Sequence, residues 1–244
     1  MSLPRPDRTV WAIETAGISK SFGFLPALRD ITLQIARQQC VSILGPNGAG
    51  KSTLIRILST LIQPSAGSAW IDGWNIRDHP SEVRRRVGFA AHQPMLYGDL
   101  SATENLLFYA RMFGVQAPQE RIRNLLNQAE LYGRRDDPVR TLSRGMQQRL
   151  TIARCLLHNP SILLLDEPYT GLDQRAAAIL NDLLHQLLIE GHTVLLTTHD
   201  VEWAAGIVDQ LLILTRGRLV YQCSVKDSSP QTLRETYQRY AGER

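Results

Sequence analysis

A chain of 244 residues with 43% hydrophobic and 20% charged residues has the makeup of a folded protein with a sizeable core and excludes a disordered one. Its net charge of +4 is carried almost wholly by arginine, the only lysines being Lys20, Lys51 and Lys226. The densest basic cluster, Arg84–Arg86, reads as a solvated helix face rather than a nucleic-acid patch, so an anionic partner is permitted but not required.

Cys40, Cys155 and Cys223 are far apart and form no CxxC pair, which argues against a disulfide framework or a zinc site. The opening MSLPRPDRTV has no apolar signal core, and no run approaches the ~18–20 apolar residues of a membrane span. Work at a membrane would therefore need another protein to hold the chain there.

Residues 9–16 (TVWAIETA) read as a first strand, and 31–35 (ITLQI) alternate as a half-buried strand does. CVSILG (40–45) is an apolar run closed by glycine, and after it Leu54, Ile57, Leu58 and Leu61 recur at helical spacing. The order is strand, glycine loop, helix. SAWIDG (68–73) and RVGFAA (86–91) read as further strands. From Pro94 to His158 the chain turns helical. Ser101 with Glu104 predicts a capping box, a second helix covers 118–130 after Pro118, and a third begins near Gly145.

ILLLDEP (162–168) and TVLLTTH (193–199) are almost continuously apolar, as strands buried on both faces of a parallel sheet are. Between them, Ile179, Leu180, Leu183, Leu184, Leu187 and Leu188 make one helix face. Residues 210–222 read as a hairpin turning at Arg216-Gly217, and the polar tail after Ser224 as a terminal helix or a loosely held end. The expected architecture is α/β: a P-loop NTPase core with a mostly parallel sheet, an antiparallel β region and a helical insertion.

Gly45-Pro46-Asn47-Gly48-Ala49-Gly50-Lys51-Ser52 matches G-x-x-x-x-G-K-[ST] without a gap. Average residue usage produces that pattern by chance in about one chain in a hundred of this length, and here it stands between a strand and a helix, as its mechanism demands. Glycines let backbone amides turn onto phosphate oxygens at a helix N-terminus. Lys51 adds a point charge, and the Ser52 hydroxyl is placed for Mg²⁺. At the end of the second apolar strand, Asp166 puts a carboxylate at the sheet edge where ligands of α/β proteins bind. Glu167, next to it, is a candidate base for an attacking water.

Further residues fall in order around this core. SKSFGF carries Phe22, Gln93 follows VGFAA, LSRGM spans Leu142–Met146, Gly171-Leu172-Asp173 follows the acids, and His199 ends a strand. Each alone has a plain structural reading as a packing aromatic, a loop amide or a strand-end histidine. Together they resemble the nucleotide-binding subunit of an ATP-binding cassette (ABC) transporter over about residues 9–222.

The resemblance implies one ATPase domain over 1–223, with a helical subdomain at about 94–158 and a tail at 224–244. It implies that Phe22 stacks on adenine, that residues 45–53 (Thr53 included) hold the phosphates, and that Ser52, Gln93 and Asp166 hold Mg²⁺. Glu167, Gln93 and His199 would act on the water and the γ-phosphate. In this family two domains pair head to tail, so Ser143 and Gly145 of LSRGM would grip the nucleotide of the partner subunit. The usual motif is LSGGQ. Here Arg144 replaces a glycine, which implies an ordinary helical backbone there, and Met146 starts an apolar stripe with Leu150, Ala153 and Leu157.

Transmembrane permease subunits are the implied partners, with the chain peripheral on the cytoplasmic face of the membrane and nucleic acid not a partner. Met95, Leu96 and Tyr97 are a candidate docking triplet or a small local core. The wording of 92–115 and 142–150 is similar to the ATP-binding subunit of bacterial haem exporters for cytochrome c biogenesis. Drug, lipid and polysaccharide exporters, and ABC scaffold ATPases outside transport, are the alternatives.

Overall fold

Strand β1 (Trp11–Phe22) turns into β2 (Leu25–Ala36), and β4 (Ala66–Ile71) and β5 (Trp74–Asn75) join them in an antiparallel sheet of order β2-β1-β4-β5. The computed structural model describes residues 11–200, 206–225 and 229–241. Only the inner parts of this hairpin were legible in sequence. The outer half of β1 is broken by shifts of register around Ile18 and Lys20, which erase the period-two pattern. Residues 9 and 10, expected in the first strand, lie outside the described part.

β3 (Cys40–Leu44), β6 (Val87–Ala90), β7 (Ile162–Asp166), β8 (Thr193–Thr198), β9 (Gln210–Thr215) and β10 (Arg218–Ser224) form the second sheet among the described residues. Its order is β10-β9-β3-β8-β7-β6. All pairs are parallel except β9–β10, the hairpin expected at Arg216-Gly217. Its central strands divide their residues between two cores. Cys40, Leu163, Leu165, Val194, Leu196 and Leu211 face one, while Val41, Ile43, Ile162, Leu164, Leu195 and Leu212 face the other. That two-sided burial is why these runs carry no polar alternation.

The second core lies between the two sheets and takes in α1 (Lys51–Leu58), whose Leu54, Ile55, Ile57 and Leu58 are buried. The helix stops one turn before Leu61, because Thr60 adopts φ +64°; Leu61, expected on the buried stripe, is 55% exposed. The short α2 (Pro80–Arg86) carries the basic cluster in its last turn, where Glu82 pairs with Arg85 and Arg86 at 2.9 and 2.8 Å. This ordinary ion-paired face takes Arg86 out of the strand expected at 86–91.

On the other side of the parallel sheet lie α3 (Ala102–Phe113), α4 (Pro118–Gln128), α5 (Arg144–Leu156) and α6 (Gln174–Ile189). The capping box of α3 is formed as expected. Ser101 Oγ accepts from the Glu104 amide at 3.1 Å and Glu104 Oε2 from the Ser101 amide at 2.7 Å, and the second bond holds the Glu104 carboxyl below the usual range. On α6, Leu180, Leu183, Leu184 and Leu187 are buried, with Ile179 and Leu188 at the edge of the face. The tail forms α7 (Pro230–Ala241), which buries Leu233 and stacks Tyr240 on Tyr221 of β10 at 4.8 Å.

Candidate functional site: a phosphate cradle beside two acids

A cleft of about 440 Å³ opens where β3 ends and α1 begins. Residues 47–53 form one wall, and Ala27, His92, Glu167, Thr170 and His199 line the rest. Amides in the first turn of a helix have no helical acceptor, so α1 directs donors and the positive end of its dipole into this space. Gly50 makes the approach possible. Its φ is +107°, and a Cβ there would lie 2.5 Å from the Ala27 carbonyl oxygen, so no side chain fits this turn. Across the loop, the Gly217 amide donates to the Ala49 carbonyl at 2.9 Å, and the Gly217 carbonyl accepts from the Arg29 amide at 2.7 Å. The β9–β10 turn thus props the phosphate loop against β2.

Lys51 is buried and reaches along the floor of the cleft. Its Nζ donates to the carbonyls of Gly45 at 2.6 Å and Pro46 at 3.3 Å and stands 3.4 Å from Glu167 Oε1. Ser52 Oγ donates to Asp166 Oδ1 at 2.9 Å. The two halves of the site expected from sequence therefore meet. Buried Asp166 ends β7, and Glu167 follows it with φ +54°, a left-handed conformation costing a non-glycine residue about 1 kcal/mol or more. That turn directs the Glu167 carboxylate toward the cleft. Its Oε2 meets His199 Nδ1 at 2.8 Å and accepts from Thr170 Oγ1 at 3.3 Å. The next residues are anchored by Tyr169, whose hydroxyl donates to Asn181 on α6 at 2.6 Å; burial, with Cys40 adding to it, pushes its phenol well above the usual range.

Gln93 does not line this cleft. It lies in an adjoining pocket of about 410 Å³ with Arg144, Gln147 and Gln148, and His92, Glu167 and Thr170 are common to both spaces. Phe22 sits at the tip of the β1–β2 hairpin, 52% exposed, with Lys20 Nζ 5.1 Å above its ring. It is not among the cleft-lining residues.

Ser143 and Gly145 also lie away from the chain's own cleft. Ser143 is the N-cap of α5, accepting from the Met146 amide at 3.3 Å, and is exposed. Arg144 begins the helix without a positive φ, as its side chain implied, and its guanidinium packs against Gly171. Gly145 is buried against α6, where a Cβ would lie 2.6 Å from that of Ala176. Met146 packs at the edge of the helical core, of which Leu150, Ala153 and Leu157 are buried members.

Sequence reasoning passed over Ala27, His92, Thr170 and Thr197. Thr197 is wholly buried, donates to Asp166 Oδ1 at 2.8 Å and accepts from the Glu167 amide at 3.0 Å. The available signal was a pair of hydroxyls, Thr197 and Thr198, closing an apolar run, which does not say which of them meets the acids. As to a metal, Ser52 Oγ and Asp166 Oδ1 offer adjacent hard oxygens, and no group of three or more His, Cys, Asp or Glu among the described residues could hold an ion by itself. That donor set fits Mg²⁺, which takes one or two protein oxygens and completes its shell with water and phosphate.

The ABC transporter family model matches residues 28–170, more than half of the chain. A Nod factor export ATP-binding protein I of Ralstonia nicotianae is 39% identical over 212 residues, covering 86% of this chain; the chain spans 66% of that relative's length. Among solved structures, the cassette MJ0796, dimeric in a post-hydrolysis state with ADP and Pi, is 31% identical, with a TM-score of 0.78 over 88% of this chain and 99% of that one. The cbiO1 protein of Clostridium perfringens, part of the ABC transporter complex cbiONQ, is 27% identical, with a TM-score of 0.81 over 94% and 95%. Phosphate loop, paired acids and two-sheet core all fall within that likeness, and the chain belongs to the ABC transporter family.

Proposed function

We propose that this chain is the nucleotide-binding subunit of an exporter, binding ATP with Mg²⁺ and hydrolysing it in a head-to-tail dimer to drive separate membrane subunits. The observation that carries the reading is the convergence of Lys51, Asp166 and Glu167 on one cleft at the head of α1. Residues 45–53 hold the phosphates, with Lys51 giving its charge to them. Ser52, Asp166 and Gln93 would hold Mg²⁺, which when bound offsets phosphate charge. Glu167, oriented by His199 and Thr170, takes the proton of a water as its oxygen bonds to the γ-phosphorus and ADP leaves. Gln93 approaches the same water from the adjoining pocket, and Phe22 offers its exposed ring to the adenine. Ser143 and Gly145, turned away from their own cleft, serve the nucleotide of the second subunit.

Relatives named as export proteins support the direction of transport. No helix among the described residues is long and apolar enough to cross a membrane, so we assign the pore to partner subunits, with this chain peripheral on the cytoplasmic face. The insertion at about 94–158 is the proposed docking arm of a domain covering 1–223, with 224–244 as its tail. Its exposed Met95, Tyr97, Phe108 and Met112 form an apolar surface, with Tyr97 edge-on to Phe108 at 5.1 Å. Leu96, expected beside them, is half-buried against the helical core, so the more exposed Tyr97 is the residue to test. Haem is the finer cargo proposal. It rests on the wording of two segments alone, and c-type cytochrome maturation in a deletion strain tests it separately.

The transport reading is tested by purification from detergent-solubilised membranes. A multi-span protein should come with the chain and raise its ATPase rate, and Tyr97→Glu should lose that partner while still binding nucleotide. Recovery solely in a soluble assembly would favour a scaffold ATPase instead.

A further inference from the structure

The parallel register of β7 and β8 sets Thr197 directly beside Asp166, and the buried Thr197 hydroxyl engages both acids of the site. It gives its one proton to Asp166 Oδ1 at 2.8 Å and takes the Glu167 amide proton at 3.0 Å. The hydroxyl spends its one proton on Asp166 and a lone pair on the Glu167 amide. Asp166 Oδ1 thereby accepts two hydroxyl protons, from Ser52 on α1 and from Thr197 in the sheet. The first bond joins two of the groups assigned to Mg²⁺; the second ties that pair to the neighbouring strand β8. The Glu167 amide, just past the end of β7, finds its acceptor in the same oxygen.

We propose that Thr197 is a positioning residue, one buried hydroxyl that sets the Asp166 carboxylate for the metal–nucleotide complex and pins the turn that aims Glu167. The inference rests on the Mg²⁺-dependent hydrolysis proposed above. Valine keeps the shape of threonine and removes both bonds, whereas serine keeps the bonds and loses a methyl group. Thr197→Val should lower kcat by about 10- to 100-fold. It should also shrink, by about tenfold, the gain in affinity for a fluorescent ATP analogue on adding Mg²⁺, with Mg²⁺-free affinity within about threefold of the parent. Thr197→Ser should restore both quantities.

A valine variant with parental kcat and parental Mg²⁺ gain overturns the proposal. Should valine prevent folding, as a lost thermal transition would reveal, Thr197→Ala and Thr197→Ser decide. Serine near the parent with alanine impaired supports the hydroxyl role; equal impairment of both points to packing and overturns it. A parent whose nucleotide affinity ignores Mg²⁺ overturns the metal reading, and this inference with it.

Discussion

Glu167 carries the sharpest residue-scale expectation, because its carboxylate is shared among Lys51, His199 and Thr170 at the mouth of the phosphate cleft. Glutamine preserves the shape but cannot take a proton from water as a carboxylate does. Glu167→Gln should lower the hydrolysis rate by about 10²- to 10⁴-fold while nucleotide affinity, read by equilibrium binding, stays within a few fold. Retained turnover would remove Glu167 from the role of base. At this scale the sequence was informative wherever spacing is local. The G-x-x-x-x-G-K-S run and the Asp-Glu pair are contiguous, so their chemistry could be read in one line. Thr197 and His92 escaped, since what gives them meaning is strand register and loop proximity across more than two dozen residues of chain.

Between elements, the contact of α5 with α6 depends on Gly145. A methyl group there would meet the Cβ of Ala176 at 2.6 Å, so Gly145→Ala should destabilise the fold by about 1–3 kcal/mol, seen as a lower urea midpoint. Ala176→Gly should cost about 1 kcal/mol by helix propensity alone. The double variant should be more stable than the sum of the two predicts; strict additivity would sink the close-packing account. Thus Gly145, expected from the family resemblance as a phosphate donor, also has a packing duty that pattern reading did not supply. Helix ends were likewise hidden. The stripe through Leu61 continues in sequence, but the left-handed turn at Thr60 ends the helix before it, and Glu130 at φ +55° closes α4 two residues short.

For the molecule as a whole, the proposed head-to-tail pair would make each site from two chains. Lys51→Ala breaks a phosphate loop and Ser143→Trp breaks a signature turn, so each variant alone should lose hydrolysis. Mixed in equal amounts, random pairing makes about half of the dimers mixed, and each of these has one site intact and one broken on both sides. Recovery of about a quarter of parental ATPase activity is expected, and none if both residues serve the same chain's nucleotide. The layered α/β architecture was legible because buried parallel strands announce themselves as apolar runs. Of the long β1–β2 hairpin only the inner parts were, its outer halves being more exposed and bulged.

The clasp of Gly217 on Ala49 and Arg29 also orders events in time. The motif that grips phosphate is complete once residue 53 has been made, yet its backing strand and turn arrive more than 160 residues later. A nascent chain thus carries every letter of the phosphate loop through most of its synthesis before the brace that shapes it exists. The brace forms late, when the C-terminal hairpin docks, and a nonsense codon between Thr53 and Gly217 leaves a chain with the full motif but without that clasp.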